Sequence, residues 1–138
     1  MGIEYPGYGL YKGEPSEDKI LADAEAIFDY LVSDLGFDPK NIIIFGRSIG
    51  SGPATWLASK KDVGALALMS AFTSIRGVVK DIAGKWIQYL VKERFNNLEN
   101  IANVKCPTFI VHGLQDNFIP YKHSQALYSI EILIFAHI

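Results

Sequence analysis

Ser48 sits within Gly46-Arg47-Ser48-Ile49-Gly50, a G-x-S-x-G pattern, and the flanking segments give that pattern its weight. The apolar run Ile42-Ile43-Ile44-Phe45 ends just before it, and a helix-forming stretch carrying Ala54, Trp56, Leu57 and Ala58 begins at Ser48. A strand that breaks sharply into a helix holds a hydroxyl out at the end of a sheet, on a strained turn with φ > 0 at the serine. Side chains at positions 46 and 50 would crowd such a turn, so glycine suits both. The Ile49 backbone N–H would face an oxyanion developing beside the serine, and the helix N-terminus would add its partial positive charge. The chemistry this suits is nucleophilic acyl transfer. A phosphate-binding loop would need G-x-G-x-x-G or G-x-x-x-x-G-K-[ST], and the chain contains neither.

A nucleophile of this kind works with a carboxylate and a histidine that follow it in that order. Asp116, in His112-Gly113-Leu114-Gln115-Asp116, comes soon after the apolar run Thr108–Val111 and is the expected acid, placed to orient a histidine and stabilise its imidazolium. Asp62 and Asp81 are the next candidates, but neither closely follows an expected strand. Of the three histidines, His112 precedes the acid and ends a strand, which suits packing better than catalysis. His123, in or before a helix, suits the surface. His137 has the right order and is the expected base, although it lies one residue from the chain end and lacks flanking glycines. The histidines are dispersed, with no His-x-x-x-His or Cys-x-x-Cys spacing, so neither metal nor cofactor is expected.

The elements that must position these residues alternate between strand-like and helix-like runs, which predicts an α/β fold built on a doubly wound, mostly parallel sheet. Residues 1–5 could end a strand, before a turn-rich stretch from Pro6 to Pro15. The spacing of Ile20, Leu21, Ala24, Ile27, Phe28, Leu31, Val32 and Leu35 predicts a helix from about Ser16 to Leu35, capped by Ser16 and stopped by Gly36. Buried strands are expected at Asn41–Phe45, Ala65–Met69 and Thr108–Val111. Gly77–Arg94 reads as a helix, Tyr121–Tyr128 as a short one, and Ile132–Phe135 as a last strand.

With 138 residues the chain suits a single domain, 1–138, and its 49% hydrophobic and 20% charged content suits a packed globule. Net charge is −2 and no Lys/Arg cluster stands out, which argues against nucleic acid or an anionic membrane as the main partner. The single cysteine, Cys106, precedes Pro107 at the start of a strand and reads as a small buried residue. No apolar run approaches the ~20 residues of a membrane span. The first residues lack the features of a signal peptide, and Gly2 lacks the Ser or Thr expected at position 6 for myristoylation. The expected location is cytoplasmic, with peripheral membrane attachment left open.

Four blocks of sequence resemble the α/β-hydrolase superfamily, in the branch of α/β-hydrolase-domain protein depalmitoylases and serine-peptidase-like hydrolases. They are Tyr5-Pro6-Gly7-Tyr8-Gly9 with Gly13-Glu14-Pro15-Ser16-Glu17, Phe45-Gly46-Arg47-Ser48-Ile49-Gly50-Ser51-Gly52-Pro53-Ala54, Ser70-Ala71-Phe72-Thr73-Ser74, and His112-Gly113-Leu114-Gln115-Asp116-Asn117-Phe118-Ile119-Pro120. The resemblance implies a partial α/β-hydrolase fold, Ser48 as nucleophile, Asp116 as acid, and Phe72 and Thr73 near an acyl pocket. It also implies an acyl ester or thioester substrate, with a lipidated protein as one form of it.

Against that family the chain looks cut at both ends: the early strands and the second oxyanion donor have no counterpart, and the Asp-to-His segment is short. The strand before Ser48 would then be an exposed apolar edge through which copies could associate. Losing an oxyanion donor costs about 10²–10³ in kcat, so weak activity or none is expected of this chain alone. The alternative reading is a catalytically impaired fragment that serves as a non-enzymatic binding module.

Overall fold

The computed structural model describes residues 1–84 and 87–135. Three strands, β1 (Ile43–Arg47), β2 (Ala65–Met69) and β3 (Thr108–Val111), form one parallel sheet in the order β1-β2-β3. The register pairs Ile43 with Ala65, Arg47 with Met69, and Met69 with Val111. The α/β class and the parallel sheet are therefore as the sequence predicts. Because the strands run the same way, the loops after Arg47, Met69 and Val111 emerge together at one end of the sheet, where α/β folds place their ligands.

Helix α1 (Glu17–Asp29) starts where Ser16 accepts the Lys19 N–H at 3.3 Å, with Glu17 and Asp18 in its first turn. It buries Ile20, Ala24 and Phe28, then widens into a π-turn over Tyr30–Asp34 before Gly36 (φ +71°) redirects the chain. After β1 comes a tight 3₁₀ turn, Ser48–Gly50, and then α2 (Ser51–Lys60). The connection from β2 to β3 holds α3 (Ile75–Ala83), a 3₁₀ turn at Ile87–Leu90 and α4 (Asn97–Ile101). Helix α5 (Lys122–Phe135) follows β3.

The sheet is covered on one face. Leu66 and Leu68 point into a core with Leu57, Ala58, Val63, Ile101, Val104, Cys106 and Leu127. The alternate residues point the other way, and there Ile43 is 69%, Phe45 61% and Phe109 67% exposed. Strand β1, expected to be buried, is thus an edge strand with a bare apolar face, the outcome foreseen from the resemblance.

Several boundaries differ from expectation. Residues 1–5 form no strand, because an extended segment becomes a strand only by pairing and none of the three strands pairs with it. Ile132–Phe135 continues α5 instead of forming a strand. No glycine or proline separates it from Tyr128, and a helix satisfies its own backbone groups without a sheet neighbour. The helix expected over Gly77–Arg94 starts earlier, at the Ser74 cap, and ends at Gly84 (φ +97°). The short α4, capped by Asn96, was not evident from periodicity.

Candidate active site

Ser48 is the first residue after β1 and is held at φ +51°. A left-handed backbone is uncommon for a residue with a Cβ, and it persists only where the surroundings enforce it. Gly46 is part of that enforcement. A Cβ at Gly46 would lie 2.5 Å from the Gly50 carbonyl oxygen and 2.6 Å from the Ala54 Cβ, so the strand could not approach α2 so closely. Ser48 is half-buried, while Ser51, three residues on, is wholly buried. Ile49 is the second residue of the 3₁₀ turn, where backbone N–H groups have no partner further back in the helix. The Tyr5 hydroxyl packs beside the turn, 3.3 Å from where a Gly50 Cβ would be, and burial raises its pKa.

The turn is anchored from below. The Ser51 hydroxyl donates to the Ser48 carbonyl at 2.7 Å and accepts from the Asn97 amide at 3.3 Å. The same amide donates to the Phe72 carbonyl at 2.9 Å, and the Asn97 backbone N–H donates to the Thr73 carbonyl at 2.8 Å. Asn97 therefore ties the turn after β1 to the loop after β2. Neither Ser51 nor Asn97 stood out in the sequence. Ser51 lay within the matched block, but nothing local signals the role of Asn97.

Asp116 lies in the loop after β3, at the same end of the sheet as Ser48. Its Oδ1 accepts the Phe118 and Ile119 N–H groups, each at 2.9 Å. Those two donors, Ile119 first, hold the carboxyl below its usual range, with further help from the Ser70 hydroxyl. Ser70 follows β2 directly and, like Ser48, has a positive φ (+47°).

The histidines divide differently. His137 lies outside the described residues. His112 is packed, as expected: Nε2 donates to the Ile119 carbonyl and Nδ1 meets the Ser124 hydroxyl, both at 2.6 Å. Its Nε2 is also 3.7 Å from Asp116 Oδ2. His123, expected at the surface, is only 4% exposed. Its Nδ1 accepts the Thr73 N–H at 3.3 Å and lies 2.8 Å from the Thr73 hydroxyl. Its Nε2 is 3.0 Å from Asp81 Oδ2 but makes no aligned hydrogen bond. Burial is the larger effect and lowers its pKa, so the ring is held neutral despite Asp81. Neither described imidazole hydrogen-bonds to Ser48.

Of the two residues expected near an acyl pocket, Phe72 is 1% exposed and packs with Ile20, Phe95 and Ile119. Thr73 is partly exposed above it. An apolar trough of about 430 Å³ runs along the open edge of β1, between α1 and the Ser48 turn, lined in part by Ile27, Phe28, Ile42, Ile44 and Ile49. Among the described residues, no cluster of His, Cys, Asp or Glu could hold a metal ion, and no helix is long and apolar enough to cross a membrane.

The model of the prolyl oligopeptidase family matches residues 12–130. The chain is 36% identical over 129 residues to the α/β-hydrolase domain-containing protein aho-3 of Caenorhabditis elegans, covering 93% of this chain and 38% of that one. It is 34% identical over 128 residues to α/β-hydrolase domain-containing protein 17B of Homo sapiens, covering 93% and 43%. The chain thus spans about two fifths of the length of these curated relatives. Among solved structures, a puromycin-hydrolyzing peptidase of Mycobacterium tuberculosis superposes with a TM-score of 0.67 at 19% identity, over 81% of this chain and 19% of that one. The acylaminoacyl peptidase of Pyrococcus horikoshii does so at 0.63 and 19%, over 84% and 21%. The fold is a partial α/β-hydrolase fold.

Proposed function

The chain belongs to the prolyl oligopeptidase family, and from that premise we propose that it is the catalytic portion of a serine hydrolase that cleaves acyl esters or thioesters. The observation that carries the reading is Ser48 itself, held at φ +51° between β1 and α2 by a turn that only glycine at position 46 permits. In this reading Ser48 Oγ attacks the acyl carbonyl and passes its proton to an imidazole, with His137 as the base. The oxyanion receives the Ile49 N–H, and Asp116 stabilises the imidazolium. Collapse expels the alcohol or thiol, which takes up the proton, and water then releases the acid from acyl-Ser48. A lipidated protein as substrate is supported by the motif resemblance, with Phe72 and Thr73 bordering the acyl group.

A fluorophosphonate probe, which labels only an activated serine, tests this on wild type, Ser48→Ala and His137→Ala. Loss of labelling in both variants supports the full assignment. Loss in Ser48→Ala alone moves the base elsewhere. A folded wild type that does not label favours the second reading, a non-enzymatic binding module. One observation already leans that way: both described histidines are engaged with groups other than Ser48.

A further inference from the structure

The long connection from β2 to β3 carries a surface on which exposed apolar side chains and cations occur together. Helix α3 is held to the body by Ile75 and Val78, which pack against the cluster of Ile20, Phe72, Phe95 and Ile119. Further along, Ile82 (59%), Ile87 (45%), Tyr89 (72%) and Leu90 (86%) face outward, four large apolar side chains within nine residues. The Ile87–Leu90 turn packs against α3, so these side chains belong to one projection.

Cations surround them. The described residues between 75 and 94 include four Lys or Arg against two acids, a local excess of cations that the chain's net charge of −2 conceals. Both acids are already occupied. Asp81 pairs with Lys122 at 2.7 Å beside His123, and Glu93 lies 3.9 Å from Arg76. Lys80, Lys92 and Arg94 are exposed and make no ion pair among the described residues. The open sheet face, which is also bare and apolar, has a single charged residue, Arg47, on its three strands.

Exposed apolar side chains interleaved with unpaired cations match the boundary between acyl chains and anionic headgroups. We propose that α3 and the Ile87–Leu90 turn dock this protein on a membrane surface carrying anionic lipids, with Ile82, Ile87, Tyr89 and Leu90 entering the boundary and Lys80, Lys92 and Arg94 meeting phosphate groups. The proposal does not depend on the Ser48 reading. If both hold, they act together, because the connection leaves β2 after Met69, the register neighbour of Arg47, and so starts beside Ser48. A docked molecule would meet acyl groups that project from the lipid surface.

The test is co-sedimentation with vesicles of phosphatidylcholine alone or mixed in equal parts with phosphatidylserine. The expected result is binding to the mixed vesicles, weak binding to the neutral ones, and release by high salt. Removing one cation near an anionic surface should weaken partitioning about fivefold, so Lys92→Glu with Arg94→Glu should lower it by more than tenfold. Tyr89→Ser with Leu90→Ser should weaken it as well, while Phe45→Ser with Phe109→Ser on the sheet face should not. A Leu90→Trp variant gives a second readout, since brominated lipid should quench it on binding. No binding, equal binding to neutral vesicles, loss confined to the sheet-face variant, or an unquenched Trp at position 90 would each overturn the proposal.

Discussion

The Asn97 side-chain amide reaches the Ser51 hydroxyl at 3.3 Å, and that hydroxyl is bonded to the Ser48 carbonyl at 2.7 Å. Two wholly buried polar residues, 46 positions apart, thereby fix the turn on which Ser48 stands. A hydrogen bond between buried groups adds little net stability, but removing one partner strands the other without water. Asn97 already leaves its own Oδ1 without a partner, so the network has little to spare.

Replacing Asn97 by Ala should therefore cost about 1–3 kcal/mol, read as a lower denaturant midpoint. Labelling of Ser48 by a serine-directed probe should also slow, because the turn loses its tether to the loop after β2. Ser51→Ala should act in the same direction. An Asn97→Ala protein with wild-type midpoint and labelling rate would show that the tether is idle.

Gly46→Ala tests the turn directly. The added methyl would lie 2.5 Å from the Gly50 carbonyl oxygen and 2.6 Å from the Ala54 methyl, where ordinary contacts begin at 3.4 Å, and neither can step aside without moving α2. Overpacking of this sort costs about 1–3 kcal/mol. Gly36→Ala is the useful comparison: it strains a positive φ (+71°), which Gly46 does not have, nothing lies near its Cβ, and it stands outside the Ser48 turn. Only Gly46→Ala should abolish serine labelling.

Stability should fall with acid in two windows. His123 is buried and its pKa is lowered from 6.5, chiefly by desolvation, with Lys122 and His112 adding to the effect and Asp81 opposing it. Below about pH 6.5 the unfolded chain takes up a proton that the folded one resists, so stability declines as pH falls through that range. Asp116 has its pKa lowered from 3.8 by the Ile119 and Phe118 N–H groups. Its contribution is complete above that value and is lost as pH falls further below it. Chemical unfolding from pH 8 to pH 3 should show both declines, the first absent in His123→Gln and the second in Asp116→Asn.

The bare face of β1 should make the chain self-associate. Ile43 and Phe45 lie on an edge strand that exposes unpaired backbone groups beside apolar side chains, which invites pairing with another copy. Ile43→Thr with Phe45→Lys should lower light scattering at high concentration without moving the unfolding midpoint appreciably. Unchanged scattering would assign the association, if any, to another surface.

What the sequence alone determined was local. The strand–turn–helix around Ser48, the Ser16 cap, the α/β alternation and the position of Asp116 after a strand all follow from residue type and spacing within a dozen positions. Backbone geometry and periodicity act on that scale, so they are legible in one dimension. The tertiary structure decided everything that depends on residues far apart in the chain. It buried His123 between Thr73, 50 positions away, and Asp81, where its helix alone suggested the surface. It made Asn97 a support for the Ser48 turn, and left the apolar run at Ile43–Phe45 bare. It also turned Ile82, Ile87, Tyr89 and Leu90 outward and left Lys80, Lys92 and Arg94 without an ion pair among the described residues. Burial and charge pairing are set by which elements pack together, and for a residue such as Asn97 no neighbour in sequence carries that information.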